Sequence, residues 1–104
     1  MTTWMRCYWG EEDTWFYFEV GADGWVTRQV DLQGPGLTPV TAASLAEWQR
    51  AYDTGHADEY DSRFGIIAET PVSEWEDHDP EQLTSGEFEE VWGTARLRIA
   101  SRPG

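Results

Sequence analysis

Three short apolar runs interleaved with polar positions open the chain: Trp4 to Trp9, Trp15 to Val20 and Trp25 to Leu32. Each is rich in aromatic and β-branched side chains, which predicts a strand. Gly10-Glu11-Glu12-Asp13 separates the first pair and Gly21-Ala22-Asp23-Gly24 the second, and glycines and acids of this kind suit short hairpin loops. The first third therefore reads as an antiparallel meander, ended by Gly34-Pro35-Gly36. Successive strand side chains point to opposite faces. Alternation places Phe16, Phe18, Val20, Val26, Val30 and Leu32 on the expected core face and leaves Trp15, Tyr17 and Trp25 for a second, partly exposed aromatic face.

The period then changes. Leu45, Trp48 and Tyr52 recur at intervals of three and four, Thr41 or Ser44 can cap a helix, and Ser44 and Glu47 have capping-box spacing, which predicts a helix from about Ala42 to Thr54 stopped by Gly55. Phe88, Val91, Trp92 and Ala95 form a second helical stripe behind Thr84 and Glu87, again at capping-box spacing. Leu97 to Ala100 either extends that helix or forms a short edge strand. Between the helices, His56 to Pro80 reads as a polar loop holding a short strand at Phe64 to Ala68. The fold class expected is α+β: an antiparallel sheet of three to five strands with an N-terminal meander and two helices packed on one face, Trp48 and Trp92 entering the core. A chain of 104 residues makes a single domain of this.

Composition adds the size of the core and the sign of the surface. Seven tryptophans supply large rings for burial. Seven basic residues, all arginine, face 20 acids, for a net charge of −13. The excess is concentrated: Asp58 through Glu90 holds twelve acids against Arg63 alone. Such a surface repels nucleic acid and attracts basic partners. No run reaches the roughly 20 apolar residues of a membrane span, and Met1 to Arg6 lacks the pattern of a secretory signal, so the expected compartment is the cytoplasm.

Catalytic and metal chemistry finds little support. Cys7 stands alone, which excludes an internal disulfide and a cysteine-built zinc site and suits a small buried side chain. Asp77-His78-Asp79 reads as a solvated loop, because neighbouring extended residues point apart and no complete calcium loop surrounds them. Phosphate-cradle and nucleophile-elbow motifs are missing from the sequence. No cofactor and no enzymatic activity are expected. The leading expectation is a binding protein whose acidic face neutralises a basic protein such as a toxin or nuclease, in the manner of an immunity protein or a mimic of nucleic acid. Its expected contacts are Glu74, Trp75, Glu76, Asp77, Asp79, Glu89 and Glu90; Trp75 either anchors its loop to the core or faces the partner. The alternative is a small-molecule module, with Trp15, Tyr17 and Trp25 lining an aromatic cleft.

The order of motifs Tyr8-Trp9, Phe16-Tyr17-Phe18-Glu19, Trp25 to Val30 and Glu87 to Trp92 resembles a family of small bacterial domains of unknown function, DUF6881. The resemblance spans roughly Trp4 to Ala95. Small acidic domains of this kind are associated with immunity or antitoxin-like roles, and the resemblance implies no catalytic residues.

Overall fold

The computed structural model describes residues 1–69 and 80–101. The elements in order are β1 (Thr3–Trp9), β2 (Thr14–Val20), β3 (Val26–Gln33), β4 (Thr38–Ser44), α1 (Leu45–Asp53), α2 (Ala57–Phe64), β5 (Glu81–Leu83) and α3 (Ser85–Ala100). All five strands join one antiparallel sheet in the order β4-β3-β2-β1-β5, so the protein is α+β with an N-terminal meander. The turns close as their residues dictate: Asp13 N–H donates to the Gly10 carbonyl at 3.3 Å and Gly21 N–H to that of Trp25 at 2.9 Å.

Among the described residues there are three helices, one more than the sequence predicts. Residues 57–64, expected as loop, form α2, whose Tyr60 and Phe64 rings meet at a tilt, their centroids 4.8 Å apart. α1 begins at Leu45, not near Ala42, because Thr38–Ser44 pairs with β3 as a strand. Ser44 closes that strand and caps the helix, its hydroxyl accepting from Glu47 N–H at 3.4 Å. Thr84 and Glu87 form the predicted reciprocal capping box, and α3 runs unbroken through Leu97 to Ala100. Phe64 to Ala68, expected to hold a strand, instead forms an irregular strap after Phe64.

The faces of the sheet differ from the expected alternation. Directly paired residues share a face, and Trp15 opposes Leu32 while Tyr17 opposes Val30. These residues, with Trp4 and Ala42, meet Phe88, Val91, Trp92, Ala95 and Ile99 of α3. Tyr17 is therefore buried under the helix, and the α3-covered face is the one expected to be open. The opposite face carries Met5, Cys7, Phe16, Phe18, Val20 and Val26, packed against Ile67 and Ala68. The expected set is split by the register, which sets Phe16 and Phe18 opposite Asp31 and Gln29 and so apart from Val30 and Leu32, and by Thr27, which has no opposite partner between the pairs Glu19–Arg28 and Val20–Val26. This bulge moves Val26 to the face away from Val30. A second irregularity between Asp31 and Leu32, where β4 carries Val40 as the extra residue, lets Thr41 oppose Asp31 and Pro39 oppose Leu32.

Candidate functional site

The arginines define what charge remains available. On the helix-covered face, Glu19 accepts from Arg28 at 2.5 and 3.0 Å, from Trp4 Nε1 at 3.0 Å and from the Thr27 hydroxyl at 2.8 Å. Arg28 also pairs with Glu89 of α3 and lies over the rings of Phe88 and Trp92, 5.1 Å from each centroid. Its hydrogen bonds, followed by those from Trp4 and Thr27, hold the Glu19 carboxyl below the usual carboxylate range. Arg6 pairs with Glu81 across β1 and β5 at 2.5 Å and covers Trp15. Arg96 donates to the Ala42 carbonyl at 2.7 Å and pairs with Glu47, joining α3 to β4 and α1. Burial works to raise Glu47, but hydrogen bonds from Arg96 and Tyr60 keep it below its ordinary value. Arg98 donates to the Leu37 carbonyl at 3.0 Å.

The expected contact residues fall into two groups. Glu74, Trp75, Glu76, Asp77 and Asp79 lie outside the described residues, as does His78 of the candidate metal cluster. Glu89 and Glu90 sit side by side near the start of α3, both exposed. They differ electrostatically: Glu89 is bound by Arg28, whereas Glu90 makes no ion pair among the described residues. No group of three or more potential metal ligands occurs among the described residues.

Nor do the three aromatic residues of the alternative line one cleft. Trp15 and Tyr17 lie in the α3-covered cluster. Trp25, 42% exposed, borders a separate cleft of about 250 Å³ with Leu45, Trp48, Tyr60, Ile67 and Asp61. Trp48 lines this cleft and belongs to neither core cluster, a correction to its expected place in the core. It stacks on Tyr52 at 5.3 Å. Tyr60 contributes its ring, since its hydroxyl donates to Glu47 at 2.7 Å and accepts from Ser44 N–H at 2.8 Å. The strap closes the cleft's far side because Gly65, at φ +87°, crosses Thr41 so closely that a Cβ would lie 2.4 Å from the threonine hydroxyl. Its end is tied down by Ala68 N–H donating to Gln29 Oε1 at 2.8 Å.

The same glutamine holds an acid that charge counting alone overlooks. Gln29 Nε2 donates to both Asp31 oxygens, at 3.0 and 3.3 Å. Burial nevertheless pushes the Asp31 carboxyl up to about 6, against the opposing hydrogen bonds of Gln29 and Thr41. Protonated Asp31 therefore favours the folded state. That contribution is complete below the unfolded value of about 3.8 and is lost as pH rises through about 6. Asp31→Asn is expected to raise stability at pH 8 by about 1–3 kcal/mol, and by much less at pH 4. Chemical denaturation at the two pH values checks this; an equal gain at both, or a loss at pH 8, overturns it.

No helix among the described residues is long and apolar enough to cross a membrane. Comparisons with family profiles, with curated proteins and with solved structures found no match for this chain.

Proposed function

We propose that this protein is a non-enzymatic binding domain whose acidic face docks on and neutralises a basic protein partner in the cytoplasm, in the manner of an immunity protein. The observation that supports this reading is the internal commitment of four of the seven arginines. Arg6, Arg28 and Arg96 are each paired with glutamate and Arg98 with a carbonyl. Carboxylates in excess of these pairs, such as Asp58, Asp61, Glu69 and Glu90, therefore dominate the field that a partner meets. Kinship with the DUF6881 domains belongs to the same proposal, on the aromatic and acidic motifs already described.

Affinity for a partner captured at low salt and then purified is expected to fall at least about tenfold between about 50 and about 500 mM NaCl. An affinity indifferent to salt overturns the acidic-face reading. A small-molecule ligand is the second reading, resting on the aromatic lining of the cleft at Trp25 and limited by its size to a compact ligand.

A further inference from the structure

We infer that the cleft between β3, α1 and the strap is a socket for an arginine side chain of the basic partner, an inference that rests on the acidic-face reading. Size is the first argument. At about 250 Å³ the cleft falls below the roughly 300–1,000 Å³ of ordinary small-molecule pockets, and suits one long side chain better than a drug-sized ligand.

Lining chemistry is the second. Leu45 and Ile67 offer apolar surface for a methylene stem, and Trp25 and Trp48 offer indole rings. Asp61 and Glu69 border the same space, and among the described residues none that lines it is basic and neither carboxylate makes an ion pair. Aromatic faces beside carboxylates complement a cation. A planar guanidinium fits better than an ammonium, because it stacks on indole while its N–H groups reach acceptors in its own plane. The fold already uses this pairing elsewhere: Arg96 lies 4.4 Å from the Trp92 ring centroid while bound to Glu47.

Exposure is the third argument. Trp25 and Ile66 are 42% and 62% exposed, and Tyr52, stacked on Trp48, is 64% exposed. The cleft thus opens on an apolar patch that a docking protein would cover around its arginine, in the way that a rim excludes water from an anchor residue.

The test uses the full chain and the peptide acetyl-Gly-Arg-Gly-amide, with the citrulline peptide as its neutral isostere. The arginine peptide is expected to shift the indole N–H resonances of Trp25 and Trp48 saturably, with affinity at least about tenfold above that of the citrulline peptide. Asp61→Asn is expected to remove most of that preference, and Trp25→Ala to weaken binding of the arginine peptide. Equal affinity for the two peptides, or shifts confined to other tryptophans, overturns the socket. With the purified partner, the combined Trp25→Ala and Asp61→Asn variant is expected to lose at least about tenfold in affinity. Steep salt dependence with no such loss overturns the socket and leaves the acidic-face reading standing. Indifference to salt overturns that reading directly.

Discussion

Phe88→Ala is expected to lower the unfolding free energy by about 3–5 kcal/mol, the largest effect of a single truncation among the described residues. Phe88 is completely buried. It enters from the first turns of α3 into the cluster of Tyr17, Val30 and Ala42, with Trp92 stacked beside it at 6.5 Å. Removing the ring loses its transfer free energy and leaves a cavity floored by β2 and β3, each fixed through pairing on both sides, which limits collapse. It also strips one apolar wall from Arg28. A urea titration checks this through the midpoint at constant slope, and an unchanged midpoint would contradict the placement of α3. The sequence pattern alone points to Trp92 as the helix's main core ring. Trp92 is only partly buried, and its ring carries the guanidinium groups of Arg28 and Arg96, 5.1 and 4.4 Å from its centroid.

Arg96→Met is expected to cost about 2–4 kcal/mol, nearly as much, for electrostatic reasons. The guanidinium reaches β4 through the Ala42 carbonyl, α1 through Glu47 and α2 through the Tyr60 hydroxyl, while lying over Phe64 and Trp92. Methionine can replace the stem and part of the ring contact. It leaves the Ala42 carbonyl without this donor and Glu47 half-buried without its charge partner, and an uncompensated group costs more than the intact pair contributes. Glu47→Gln should therefore cost less in the Arg96→Met background than in the native protein, with a coupling of about 1 kcal/mol or more in a double-mutant cycle. Additive losses would mean that the pair contributes nothing to joining the helices.

The parts of this fold that sequence reading recovers are those fixed by neighbours in the chain. Turn residues and aromatic runs locate β1, β2 and β3 to within a residue or so, and one capping box with one apolar stripe locates α3. Failure begins where a single residue breaks the period. Thr27 in β3 and Val40 in β4 each defeat a strict alternation, so Val26 and Val30, four apart and on one predicted face, lie on opposite faces. α2 escapes because Tyr60 and Phe64 are its only large apolar residues among acids and an arginine, too few for a stripe, although their spacing of four is a helical signal. The cleft is illegible for another reason. Its walls come from β3, α1, α2 and the strap, and the Leu45, Trp48 and Tyr52 stripe reads the same whether it faces a core or a cleft. Asp31 likewise looks like any other acid until pairing with Thr41 and the contact with Gln29 place it inside.

The bulge at Thr27 makes the length of β3 a constraint separate from its composition. Its hydroxyl is held by the Glu19 carbonyl at 3.2 Å and carboxylate at 2.8 Å, which fixes the offset at one place. Point changes can accumulate on either side of that residue, since each face tolerates exchange among side chains of similar volume. Loss of one residue there is different in kind: it would rotate Trp25 and Val26 to opposite sides together, detaching the tryptophan from the cleft and the valine from Phe18 and Val20. In divergent copies of this domain, insertions and deletions are accordingly expected in the turns at residues 21–24 and 34–37, with the strand between them constant in length.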